Sequence, residues 1–167
     1  FMIPSLFSFL IIVNEILKEK EYKQRLYLNV LGVGNFIYYF CWFITSLIYS
    51  LLTSLILILS GICFQFGFFQ DTNFLILLIF MTTFTLSMQL LGIFLCSLVP
   101  NQNAGKSIAY GFILISGVIE LFTSNIYIIY QFYIDILPPW FIIIRYILDL
   151  YPPFNYTKIF GMISTKS

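Results

Sequence analysis

The sequence has no histidine, which removes imidazole as a general base and the usual His-containing zinc sites. Its three cysteines, Cys41, Cys63 and Cys96, stand far apart in or beside apolar stretches. They lack metal-ligand spacing and read as small apolar fillers. Alanine occurs only at Ala104 and Ala109, while Phe, Ile, Leu and Tyr are used heavily, so no single aromatic residue carries much weight. Charge is scarcer still: 9% of 167 residues, against about 25% in a soluble domain. With 60% hydrophobic residues and a mean hydropathy of +0.98, the chain reads as a polytopic integral membrane protein. The formal charge of +1, without clustered Lys and Arg free of acids, argues against a nucleic-acid partner.

What charge there is lies mostly in one place. The stretch Asn14–Asn35, NEILKEKEYKQRLYLNVLGVGN, holds seven of the fifteen charged residues, and none follows until Asp71. An island of this kind between apolar segments predicts a helix over 15–35 lying in water at the membrane surface. Glu19 with Lys23 and Glu21 with Arg25 stand at i,i+4, each pair contributing roughly 0.2–0.5 kcal/mol if helical. Tyr22, Leu26 and Val30 form a narrow apolar stripe on the same helix, making it amphipathic. Gly32 and Gly34 supply positive-φ positions that would end it.

Around the island, hydropathy predicts four transmembrane helices, over 1–17, 36–60, 74–98 and 107–130. The first is at the lower limit for crossing a core of roughly 30 Å. Its start, FMIPSLFSFLIIV, lacks the basic flank of a signal peptide, so a further helix is expected upstream. Ser46, Ser50 and Ser54 give the second span a small-residue stripe for close helix packing. Thr82, Thr85, Gln89, Gly92 and Cys96 give the third a small polar face expected to point inward, with Gln89 donating an interhelical hydrogen bond. The island carries four basic residues and the connection Gly61–Asn73 none, which places the island in the cytoplasm or its topological equivalent.

The loop Val99–Ser107, VPNQNAGKS, ends in a string that invites a phosphate-loop reading. It has Pro100 where that motif needs glycine and follows a span instead of a strand. Lys106 serves instead as the positive-inside charge. Gly32 and Gly34 likewise fail as a dinucleotide fingerprint, since Ile37 holds the third glycine position. Glu120 lies within the fourth span, where an acid costs about 2.5–3.5 kcal/mol at the helix centre and must face protein or water. It reads either as a relay or gate, or as a structural hydrogen bond near the outer end of the helix.

Beyond it, Pro138-Pro139 and Pro152-Pro153 bracket Trp140–Tyr151, which at about 1.5 Å per residue is too short to cross. Arg145 and Asp149 stand at i,i+4 and can pair. This predicts an outer-leaflet re-entrant helical hairpin over 138–163, turning at Pro152 and Pro153, with Phe154–Ile163 as its second limb.

Two of these stretches resemble a known family. Glu19, Lys20, Glu21, Lys23, Arg25, Leu31, Gly32, Trp42 and Phe43 resemble the segment after the second membrane helix of ABC transporters of subfamily A, of the ABC-2 exporter type. Pro152, Pro153, Phe154, Asn155 and Lys158 resemble the re-entrant element of the same family. The resemblance covers most of the chain and implies one partial transmembrane domain over 1–167, from the second to the fifth helix plus the hairpin. It implies ATP-driven movement of lipids or other amphiphiles. It also implies that Glu19, Lys20, Glu21, Lys23 and Arg25 couple to a nucleotide-binding domain, and that the rest of the half-transporter is supplied in cis or in trans. ATP and magnesium would bind on that domain, and this chain has no ATPase motif and is expected to hold no cofactor of its own. Two other readings stay open: a non-pumping structural or interaction subunit of a larger membrane assembly, and a channel or ion-coupled carrier built on Glu120.

Overall fold

The computed structural model of the chain describes residues 2–66, 69–70, 72–99, 101–123, 146, 148–149 and 151–164. All regular structure among them is helical: α1 (Ile3–Glu21), α2 (Gln24–Val30), α3 (Asn35–Cys63), α4 (Phe74–Leu98), α5 (Gln102–Thr123) and α6 (Pro152–Ser164). Three stretches, Asn35–Cys63, Phe74–Leu98 and Gln102–Leu121, are long and apolar enough to cross a membrane.

The helix ends have local causes. Pro4 stands in the first turn of α1, where its missing N–H costs nothing. The Asn73 side chain accepts a hydrogen bond from the Leu75 N–H at 3.1 Å and caps α4. Past the end of α2, Gly32 takes φ +85° and the Val33 N–H reaches the Leu28 carbonyl, a glycine-closed helix end. Gly34, also expected at positive φ, is extended at φ −68° and directly precedes α3.

The single helix expected over 15–35 is two helices. α1 runs out of the first apolar segment through Glu21, then Lys23 adopts a left-handed φ of +52° and α2 begins. A left-handed residue turns the chain, so positions on either side of it no longer share a helical face. Accordingly, among the described residues, no ion pair joins Glu19 to Lys23 or Glu21 to Arg25. Tyr22, Leu26 and Val30 are all exposed.

The last long helix also departs from expectation. It begins at Gln102, with the Gly105 N–H bonded to the Asn101 carbonyl, five residues before the expected start at Ser107. Ala104–Ser107 and Lys106 are therefore helical, and no loop remains there to wrap a phosphate.

α1 is the inner helix. Its residues Leu6, Phe9, Ile12, Val13, Ile16 and Leu17 are buried, and it packs against α3, α4 and α5. Those three helices carry many exposed large apolar side chains, such as Phe40, Ile48, Ile76, Phe94 and Leu114, the pattern of a surface facing lipid. Close packing uses small residues: a Cβ on Gly92 would stand 3.0 Å from Phe9 and Val13, and one on Gly105 would stand 2.6 Å from Leu17.

The two small polar faces read from the sequence do point inward. Ser46, Ser50 and Ser54 on α3 are buried, as are Thr85, Gln89, Gly92 and Cys96 on α4, while Thr82, expected on the same face, is only partly buried. Ser54 Oγ is 3.4 Å from Thr85 Oγ1, and Ser8 Oγ is 3.0 Å from Thr53 Oγ1, so hydroxyls join α3 to both α4 and α1.

Candidate functional site

The charged end of α1 is tied to the ends of two other long helices. Lys20 Nζ donates to the carbonyl of Val99 at 2.8 Å and also to that of Cys96, closing the C-terminal end of α4. A cation there satisfies carbonyls that have no partner within their own helix and complements the helix dipole. Next to it, Glu19 Oε2 accepts from the Tyr38 hydroxyl at 2.6 Å and from the Trp42 indole N–H at 3.3 Å, both on the first turns of α3. The start of α3 and the end of α4 thus meet at one point, so the two helices run antiparallel.

Arg25, the basic residue of α2, donates to Asn35 Oδ1 at 3.1 Å. Its guanidinium lies 5.6 Å from the ring centre of Tyr38 and 5.3 Å from that of Tyr39, within cation–π range. Of the five residues expected to couple to a partner domain, Glu19, Lys20 and Arg25 are therefore engaged inside the chain. Glu21 and Lys23 are exposed. Lys18, outside the expected set, pairs with Glu15 at 2.7 Å on the exposed side, and that hydrogen bond lifts its ammonium above the usual lysine range. Lys20 and Glu21 line a cavity of about 410 Å³ together with Asn101, Gln102, Asn103 and Ala104. The polar start of α5 thus lies at the same end of the bundle as the island.

The intramembrane polar residues are placed differently. Gln89 is fully buried, yet neither its Oε1 nor its Nε2 has a hydrogen-bond partner among the described residues. Among the described residues, the interhelical hydrogen bond expected from Gln89 is not made, and the nearby Ser54 and Thr85 hydroxyls donate to backbone carbonyls. Glu120 is partly buried on α5, one turn beyond Ser116. That helical face receives Tyr151, whose hydroxyl is 2.6 Å from Ser116 Oγ.

Of the hairpin residues, Pro152 opens α6 and Pro153 is buried. The Asp149 carboxylate takes Lys158 Nζ at 3.3 Å, and the Asp149 carbonyl accepts from the Asn155 amide. Arg145, and with it the expected Arg145–Asp149 pair, lies outside the described residues, as does most of Trp140–Tyr151. α6 is held by Tyr156, which stacks on Phe84 at 4.1 Å and Phe80 at 5.2 Å and donates to Met81 Sδ at 3.4 Å. At roughly 1.5 Å per residue, Phe84 is about 22 Å along α4 from Val99, so α6 packs on the half of the bundle away from Lys20.

Sequence reasoning identified Glu19 and Lys20 but not their partners, and it missed Lys158 as the partner of Asp149. The aromatic pair Tyr38 and Trp42, one turn apart and spaced to meet one carboxylate, was the available signal for Glu19. For Lys20 there was none, because its partners are main-chain carbonyls.

Comparison with known proteins agrees with this architecture. The family described as ABC-2 family transporter protein matches residues 1–165. Among curated proteins, ABC transporter A family member 1 of Dictyostelium discoideum is 29% identical over 156 residues, covering 93% of this chain and 18% of the relative. ABC transporter A family member 8 of the same organism is 26% identical over 160 residues, covering 95% and 19%. ABC transporter A family member 9 of Arabidopsis thaliana is 27% identical over 124 residues, covering 74% and 13%. The chain thus spans less than a fifth of the length of these relatives. No solved structure matches it. With the family match spanning nearly its whole length and three apolar helices long enough to cross a bilayer, the chain belongs to the ABC-2 transporter family, as an integral multi-pass membrane protein similar to the subfamily A members.

Proposed function

We propose that this chain is part of the transmembrane domain of an ATP-driven transporter of lipids or other amphiphiles. In this reading α1, α3, α4 and α5 are the four spans, and the break at Lys23 with α2 forms the cytoplasmic coupling element. α6 is the inner-facing limb of a re-entrant hairpin in the opposite leaflet. ATP and magnesium are held by a nucleotide-binding domain in cis or in trans, docked on the exposed Glu21 and Lys23 and on the neighbouring Asn101–Ala104 segment.

The observation that carries the reading is the pair Glu19 and Lys20. Adjacent in sequence, they bond to the start of α3 and to the end of α4. A push on the island is therefore delivered to α1, α3 and α4 at once, through charge-assisted hydrogen bonds that are about twice as strong as neutral ones. Its direct test is reconstitution of the full-length protein in vesicles with a fluorescent phospholipid in one leaflet. ATP-dependent redistribution of the lipid, lost with a non-hydrolysable analogue, is the expected result. Bound nucleotide domain with no redistribution of any amphiphile would favour a non-pumping structural role instead.

A further inference from the structure

Very little holds α2 to the bundle. It has seven residues, none of them buried and none capping its start by a side chain. Two bends bound it, Lys23 at φ +52° and Gly32 at φ +85°, and a helix this short is not stable by itself in water. Among the described residues, one side chain of α2 makes a hydrogen bond or a cation–π contact with the rest of the chain, and it is Arg25. Arg25 stands in the first turn of α2, where a cation opposes the helix dipole. Its position costs the helix stability, so what it gains lies outside the helix.

The guanidinium reaches the first turns of α3. It donates to Asn35 Oδ1 at 3.1 Å and lies 5.6 Å and 5.3 Å from the ring centres of Tyr38 and Tyr39. The hydroxyl of Tyr38 donates in turn to Glu19 Oε2 of α1 at 2.6 Å. One phenol thus carries the base of α2 on its face and the acid of α1 on its hydroxyl, and three helices meet on it. The family resemblance groups Arg25 with residues that dock a nucleotide-binding domain. Its guanidinium is instead turned toward α3, in a planar contact that a lysine would not reproduce.

We propose that Arg25 is a positioning residue: stacked on Tyr38 and Tyr39, it is the grip by which a displacement of α2 is handed to α3 and, through Tyr38, to α1. The transmission rests on the transport reading above, whereas the grip itself does not, so the experiment has one arm without nucleotide and one with it. Both use the full-length protein with Arg25→Met, Arg25→Lys, Tyr39→Leu, and Arg25→Met combined with Tyr39→Leu. Tyr39→Leu removes a ring face without touching the bond to Glu19. Neither Arg25 nor Tyr39 is buried, so thermal unfolding of all four is expected to match that of the parent.

In detergent without nucleotide, hydrogen exchange of the α2 backbone amides is measured by mass spectrometry. It is expected to quicken about three- to tenfold in Arg25→Met and about two- to fivefold in Tyr39→Leu. Arg25→Lys should recover only part of the loss, because one ammonium cannot bond Asn35 and cover two rings together. The combined variant should exchange no faster than Arg25→Met alone, since both changes break one contact. Unchanged exchange in Arg25→Met, or fully additive effects in the combined variant, would overturn the grip.

In vesicles with ATP, lipid moved per ATP hydrolysed is expected to fall about threefold or more in Arg25→Met while ATP turnover persists. A parental ratio in Arg25→Met would overturn the transmission. So would full activity in Arg25→Lys joined to lost ATP turnover in Arg25→Met, the signature of a charge that touches the nucleotide-binding domain directly. A parent protein that hydrolyses ATP and moves no amphiphile would end the transport reading, and the transmission with it, while the exchange arm still decides the grip.

Discussion

Lys20 Nζ lies 2.8 Å from the carbonyl oxygen of Val99, a residue 79 positions further along the chain. This contact turns a surface charge into a structural tie between the end of α1 and the end of α4. Replacing Lys20 by Met keeps the aliphatic stem and removes only the donors. The expected cost is about 1–3 kcal/mol, from the lost charge-assisted bonds and the carbonyls left open. Thermal unfolding of the full-length protein in detergent measures it, and a variant as stable as the parent would show that the tie contributes nothing.

Gly105 lies where α5 packs against Leu17 of α1. A Cβ there would sit 2.6 Å from the buried Leu17 side chain. Gly105→Val is expected to destabilise by about 1–3 kcal/mol through overpacking. Gly111, on the same helix, has nothing within 4 Å of its Cβ position. Gly111→Ala is therefore the matched control, expected to be neutral or slightly stabilising through helix propensity.

Gln89 makes the opposite prediction. Its amide is buried with neither atom paired among the described residues, and an unmet polar group of this kind costs about 1–3 kcal/mol. Gln89→Leu is expected to raise the unfolding temperature. A clear fall would mean that the amide has a hydrogen-bond partner in the assembled transporter, which a second measurement in the presence of nucleotide would then locate to one of its states.

The Asp149–Lys158 pair spans the start of α6, with side chains 31% and 19% exposed respectively. Removing one partner takes away the charge-assisted bond that ties α6 to the residues just before it. Asp149→Asn and Lys158→Met are each expected to loosen α6, by about 1–2 kcal/mol. The exchanged pair Asp149→Lys with Lys158→Asp should recover part of that. Protease accessibility near Tyr151 reports the change, and additive losses in the exchanged pair would exclude the interaction.

Much of this was legible in the sequence, and the rest was hidden for identifiable reasons. The apolar runs that become α3 and α4 gave their bounds to within a few residues, because a bilayer demands length and hydropathy together. The stripes at Ser46, Ser50 and Ser54 and at Thr85, Gln89 and Gly92 gave the inward faces. The break at Lys23 was invisible, because a lysine in the left-handed region carries no mark that Gly or Pro would have supplied. The early start of α5 was obscured by Asn101, Gln102 and Asn103, whose polarity suggests a loop although Gln102 and Asn103 already belong to the helix. The role of Lys20 could not be seen, since any helix end offers the same carbonyls.

The central claim is that the island around Glu19 and Lys20 transmits work from a nucleotide-binding domain to the spans. The measurement that meets it most directly is the ratio of lipid moved to ATP hydrolysed by the full-length protein in vesicles, for the parent and for Lys20→Glu with Lys23→Glu. The account predicts that ATP turnover persists while lipid movement falls at least tenfold. A ratio equal to that of the parent would contradict it.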